Sequence, residues 1–255
     1  MKSFLPIAGS ISAALILLSP LCIAQAAEIK VLGALGMKAA IEDVVLQFER
    51  ATGHKLTVTF LPLGAMVKLV QGGETADVVI IPQQGIEDFA KYGKVIAGSI
   101  GVLASSGMVV AVRKGAPKPD ISSPEAFKRA LLAARSITYG RGAGSEHFET
   151  VLDRLGIAND VKSKIVRGQP GDTGVRVAKG DAEIGVTFLP VLIPVAGIEI
   201  VGPLPGDLQH AQTFSSAIMV ASKQPVISKE FIDFFRTPEA ANALKAYGME
   251  PGRAP

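Results

Sequence analysis

The sequence predicts an α/β protein of two lobes, each a doubly wound sheet, joined by two crossing strands. Three observations predict it. Near-continuous apolar, β-branched runs alternate with amphipathic helical stretches, the pattern of strands buried under helices on both faces. Two stiff links rich in proline and glycine, Gly115-Ala116-Pro117-Lys118-Pro119 and Pro203 to Gly206, cut the chain into three blocks. The last block opens on a strand-like run, Thr213 to Val220, that returns to the first lobe. The expected first lobe is residues 27–110 with 212–255, and the second is 111–211.

The first 26 residues stand apart. Lys2 precedes an apolar run from Ile7 to Leu18, and Ala24-Gln25-Ala26 fits a small-x-small cleavage site. The stretch reads as a secretory signal peptide cleaved near Ala26, with an apolar run too short to span a bilayer. Cys22 is the only cysteine and lies inside it, preceded by Leu21 where a lipid-attachment site takes Gly, Ala or Ser. The exported chain therefore has no disulfide, thiolate metal site or thiol nucleophile.

Of the 255 residues, 48 % are hydrophobic and 19 % charged, which suits packed globular lobes and argues against disorder. The net charge is +3, or +2 without Lys2, too even to predict a nucleic-acid or anionic-membrane partner. With no tryptophan and three tyrosines, the chain has no aromatic surface for stacking bases or sugars.

In chain order, Ile29 to Leu32 reads as a buried strand that turns through Gly33-Ala34-Leu35-Gly36 into a helix. Met37, Ala40, Ile41, Val44 and Phe48 share one face of that helix at spacings of three and four, and Gly53 closes it. Lys55 to Phe60 alternates as a strand, and Leu61-Pro62-Leu63-Gly64 turns into a helix over Ala65 to Gln71. Ala76 to Ile81 is a near-continuous apolar strand of the kind buried on both faces, followed by a helix over Ile86 to Tyr92 and a strand over Ser106 to Arg113. The second lobe follows, with a helix from Pro124 to Ala134 and strands at Ser136–Tyr139, Lys164–Val166, Ile184–Phe188 and Ile198–Val201. Its other helices are Glu146–Leu155 and Val175–Lys179, the first preceded by the glycine-rich turn Gly140 to Ser145. Helices over Lys229–Phe235 and Pro238–Tyr247 end the chain. Two α/β lobes linked twice are the plan of a hinged protein with a cleft.

Five stretches, in this order, resemble the molybdate-binding family among the periplasmic solute-binding proteins of ABC importers. They are Val31 to Val44, Phe60 to Val70, Gly73-Glu-Thr-Ala-Asp-Val-Val-Ile80, Gly180-Asp-Ala-Glu-Ile-Gly-Val-Thr-Phe188 and Phe231 to Ala240 with Tyr247-Gly248. The resemblance covers essentially the whole exported chain. It implies a type II periplasmic binding protein, a small anionic solute, an ABC permease as partner, a periplasmic location and a monomer, with no cofactor.

The departures fall in the site. That family grips a tetrahedral oxyanion with hydroxyls and helix N-terminal amides. Here the serine of the first turn falls on Gly36, the serine of the second on Leu63, and the tyrosine after the late strand on Phe188. Each hydroxyl is worth roughly 0.5–1.5 kcal/mol net, so their joint loss points to a solute other than molybdate or tungstate. Amides of Gly36-Met37 and Gly64-Ala65 still favour an anion. From the second lobe, Arg141, Gly144, Ser145 and Thr173 are candidate contacts, Arg141 as a bidentate clamp and Ser145 and Thr173 equally as helix caps. Leu35, Met37, Leu63 and Phe188 make the first-lobe wall and the cleft floor apolar, with core packing the alternative role for Met37. This pattern suits a carboxylate with an apolar body.

His54, His147 and His210 have no metal-ligand spacing. An enzyme on this fold would need a nucleophile and base or paired carboxylates, and the sequence shows no paired histidines or acids near the glycine-rich turns. The expectation is a binding protein and not an enzyme. A ligand sensor that signals to a receptor shares every feature of this reading.

Overall fold

The computed structural model describes residues 27–141 and 143–252; the signal-peptide reading of residues 1–26 lies outside them. The first lobe opens with β1 (Glu28–Ala34), α1 (Lys38–Thr52), β2 (Lys55–Leu61), α2 (Leu63–Gln71), β3 (Val78–Pro82) and α3 (Gln83–Lys91). β4 (Gly101–Arg113) carries the chain across. The second lobe is α4 (Pro124–Ala133), β5 (Ile137–Tyr139), α5 (Ala143–Arg154), α6 (Ala158–Val161), α7 (Thr173–Lys179), β6 (Ile184–Phe188), α8 (Leu189–Leu192) and β7 (Ile198–Pro203). β8 (Ala211–Ile218), α9 (Pro225–Phe234), α10 (Pro238–Ala246) and β9 (Glu250–Pro251) rejoin the first lobe.

Strands β2, β1 and β3 are parallel neighbours, and β8 and the first half of β4 extend this sheet antiparallel. The run Val78-Val79-Ile80-Ile81 feeds both faces, as a strand buried twice over must. Val78 and Ile80 join Ile29, Val31 and Phe48 under α1, α9 and α10, while Val79 and Ile81 join Met66, Val70 and Phe89 under α2 and α3. Phe48 of α1 meets Phe231 and Phe234 of α9 edge-on at 5.2 and 5.4 Å, the arrangement that ring quadrupoles favour. Gly53 closes α1 at φ 76°, where a side chain would be strained.

The second sheet has the order β5-β6-β4-β7, with β5 parallel to β6 and β4 antiparallel to both β6 and β7. One strand therefore serves both sheets. Gly101 to Gly107 pairs with β8, and Met108 to Arg113 pairs with β6 and β7. The second connection is not a strand. Residues 204–210 hold a 3-10 turn, Gly206–Leu208, and β8 pairs only within the first sheet. The two connections are tied at Met108, whose N–H donates to the His210 carbonyl and to Gln209 Oε1, both at 3.1 Å. Gln209 Nε2 donates back to the Met108 carbonyl at 3.0 Å.

Asp77, in the Ala-Asp-Val motif, holds the first lobe together from within. It is 7 % exposed and accepts from Lys30 N–H (2.9 Å), Ser222 Oγ (2.8 Å), Lys223 N–H (2.9 Å) and Gln224 N–H (3.3 Å). Burial alone would push its pKa up, but these donors outweigh burial and hold the carboxyl below its usual range. The motif aspartate thus anchors the start of α9 to β1 and β3.

The strand expected at Lys164–Val166 is absent. Lys162–Lys164 is a 3-10 turn and only Ile165 bridges to Ile137, because two apolar residues are too few to extend the pairing. β4 starts five residues earlier than expected and α9 four, the latter from Pro225, which takes the first helical position.

Candidate functional site

The carboxyl ends of β1, β2 and β3 each feed a helical turn whose N-cap residue cannot cap. These residues are Ala34, Pro62 and Pro82, none with a side-chain hydrogen bond to the first turn. The second lobe repeats the pattern: Asp172 and Phe188 precede α7 and α8 without capping them. Elsewhere Ser123 caps α4 by accepting from Ala126 N–H and Thr237 caps α10 by accepting from Ala240 N–H, while α6 and α9 also start without a side-chain cap. Uncapped starts leave free N–H groups and the positive end of the helix dipole facing outward. Gathered near the carboxyl edges of two sheets, such starts are the arrangement that favours an anion in other α/β proteins.

The walls touch in places. Leu35 lies across from Gly171, where a Cβ would sit 3.5 Å from Leu35 Cδ2, and α8 packs against the turn Leu35–Met37. Gly36 is half-buried beside Phe214, and Gly64 is exposed with open space around it. Met37 is fully buried in the core under α1, so it packs and does not line the cleft. Leu63 turns toward α3, its Cδ1 2.7 Å from where a Cβ on Gly85 would lie, and leaves its backbone to the cleft.

In the second lobe, Arg141 is exposed just after Gly140. Ser145 is 9 % exposed and is the third residue of α5, so it lies inside the first turn and not at the cap. Gly144 lies under Phe188: a Cβ there would meet the ring at 2.9 Å. Phe188 is itself 6 % exposed and belongs to the second-lobe core, the position its lost hydroxyl would leave to packing. Thr173 is the first residue of α7, fully buried, and its Oγ1 has no hydrogen-bond partner. It caps nothing.

Thr187, passed over in the sequence, joins them. β6 alternates Ile184, Val186 and Phe188 into one core and Gly185 and Thr187 toward α7. A Cβ on Gly140 would stand 3.5 Å from Thr187 Oγ1 and 4.0 Å from Thr173 Oγ1. The register was the missing signal: Tyr139 pairs with Val186, which brings Gly140 level with Thr187.

The absence of paired histidines does not survive the fold. His147 of α5 and His210 of the second connection stack at 4.5 Å, with Phe188 6.1 Å from His210. His147 Nε2 lies 3.0 Å from the Leu208 carbonyl oxygen. Burial first, and then the neighbouring His147, lowers the pKa of His210. His54 is elsewhere, accepting from Ala27 N–H at 3.2 Å and stacked on Phe48. Tyr139, next to Gly140, keeps its proton at neutral pH, because burial pushes its phenol up to about 12, and its hydroxyl donates to Glu149 Oε1 at 3.1 Å.

The family model described as bacterial extracellular solute-binding protein matches residues 29–250, and the chain belongs to that family. It is 31 % identical over 251 residues to an aconitate isomerase from Pseudomonas sp, covering 95 % of each chain. It is 30 % identical over 237 residues to the molybdate-binding protein ModA of Azotobacter vinelandii, covering 89 % of this chain and 91 % of that one. The solved periplasmic molybdate-binding protein of Azotobacter vinelandii superposes with a TM-score of 0.71 at 20 % identity, over 89 % of this chain and 99 % of that one. The sulfate-binding protein SubI of Mycobacterium tuberculosis H37Rv gives 0.71 at 17 %, over 88 % and 87 %. The fold is that of type II periplasmic binding proteins, and the chain is a divergent, molybdate-binding-like member.

Proposed function

We propose that this solute-binding family member is the soluble capture component of an ABC importer, which closes on a small anion between its lobes and delivers it to a permease. The observation that carries the reading is the convergence of uncapped helix starts from both lobes, after β1, β2, β3 and β6 and at α7. Family likeness favours an oxyanion; Gly36, Leu63 and Phe188, in place of hydroxyls, favour a small carboxylate. A sensor role would use the same cleft. Thermal shift of the mature protein tests the reading, with molybdate, tungstate, sulfate, phosphate and small carboxylates each in turn. A ligand at about a thousandfold over its Kd adds about 4 kcal/mol to stability. A flat response to every anion would sink it.

A second reading is an isomerase on the same scaffold. Two observations favour it: the relative named aconitate isomerase, similar over 95 % of the chain, and the His147–His210 pair beside Phe188. Histidine is the side chain best placed to move a proton near neutral pH. Incubation of the protein with cis- and trans-aconitate, followed by chromatography, decides this reading: interconversion supports it and none removes it.

A further inference from the structure

Among the described helix starts of the cleft, side-chain hydroxyls stand on one wall. At the first-lobe helix starts the residues are Leu35-Gly36-Met37, Leu63-Gly64-Ala65 and Gln83, with no hydroxyl among them. Gln83 is already engaged, by Ser215 Oγ and by Glu87 at 3.2 Å. The second lobe brings Thr173 and Thr187 together around Gly140, at the head of α5, a helix of twelve residues. Thr173 Oγ1 is fully buried and unpartnered, a state that costs free energy unless something else supplies the bond.

We infer that Thr187 and Thr173 form a carboxylate-holding subsite of the second lobe, with the carbon skeleton of the solute lying on the first-lobe side against Leu35. This rests on the solute-binding reading above and deepens it. Backbone amides at both walls can serve either anion, so the side chains decide between them: a tetrahedral oxyanion sends its oxygens in four directions and gains from hydroxyls on both walls. A carboxylate presents both oxygens to one side and carbon to the other, which matches a wall of hydroxyls facing a wall of leucine and glycine. The α5 N-terminus adds its dipole at the same point. Thr187 fixes the choice, because it offers its hydroxyl from a strand of the sheet itself.

The test is calorimetry on the whole mature protein with propionate, butyrate, succinate and citrate against molybdate and sulfate. The variants are Thr187→Val, Thr187→Ser and Thr173→Val. Thr187→Val keeps the shape and removes the hydroxyl, and Thr187→Ser keeps the hydroxyl. The expected result is that a carboxylate binds tightest, that Thr187→Val and Thr173→Val each weaken it at least tenfold, and that Thr187→Ser restores most of the loss. Carboxylate binding unchanged in Thr187→Val, or an inorganic oxyanion bound more tightly than every carboxylate, overturns the inference and leaves the solute-binding reading standing. No heat with any anion in the unaltered protein overturns both.

Discussion

The carboxamide of Gln209 clasps the backbone of Met108, accepting its N–H at 3.1 Å and donating to its carbonyl at 3.0 Å. This pins the second connection to the point in β4 where pairing passes from one sheet to the other. Gly107 permits it, since a Cβ there would press on Gln209 Nε2 at 3.0 Å. Met108 keeps the His210 carbonyl as a second acceptor, so Gln209→Ala is expected to cost about 1–2 kcal/mol and not to unfold the protein. Urea denaturation of the variant checks this, and a midpoint equal to that of the native chain would show the clasp to be idle.

Asp77 is the costlier residue to lose. Its carboxylate serves three backbone N–H groups and the Ser222 hydroxyl, so Asp77→Ala strands four donors and is expected to cost about 3 kcal/mol. The native pKa lies below the ordinary 3.8, so this stabilisation is complete above that value and is lost as pH falls through the native one. Acid unfolding should therefore be shallower below pH ~4 in Asp77→Asn than in the native chain.

The His147–His210 pair gives a second acid-sensitive step at higher pH. His210 binds its proton less readily folded than unfolded, where its ordinary value is 6.5. The unfolded chain then takes up protons first, so the contribution is full above 6.5 and falls away as pH drops below it. The melting temperature of His210→Gln should change less between pH 7.5 and 5.5 than that of the native protein. Equal slopes would exclude the pair as their source.

Gly36 offers a route back toward an oxyanion site. A Cβ there meets only Phe214 Cζ, at an ordinary 3.8 Å, and the residue does not take a positive φ. Gly36→Ser should fold with stability within about 0.5 kcal/mol of the native chain. It should also gain roughly tenfold in affinity for molybdate, the worth of one hydrogen bond to a charged oxygen. Titration calorimetry reads both the gain and its absence.

Strands buried on two faces were legible because runs such as Val78-Val79-Ile80-Ile81 are β-branched and closed by Pro82 before they reach helical length, and the helix of Ala40, Ile41, Val44 and Phe48 because of its spacing. The start of β4 was not, since Gly101-Val-Leu-Ala-Ser105 mixes small and polar residues whose burial comes from β8 and β9. In the site, Arg141, Gly144, Ser145 and Thr173 are at helix starts that glycines marked in advance. Thr187 and the stacked histidines were hidden for one reason. Both depend on which strands and connections lie side by side, a fact of register and return path that local pattern does not carry. Met37 and Leu63 show the converse: residues beside a turn whose side chains the core claims, leaving only backbone to the cleft.

A strand common to both sheets has a consequence for how the molecule comes apart. Loss of β4 would strip β8 of one of its partners in the first sheet and part β6 from β7 in the second, so both sheets depend on one strand. The two halves should melt in a single transition, with calorimetric and van't Hoff enthalpies in agreement. The amides of Met108 to Val112 should be among the last to exchange, although they border the connections between the sheets. The stretch that joins the two sheets is then also among the most resistant to opening.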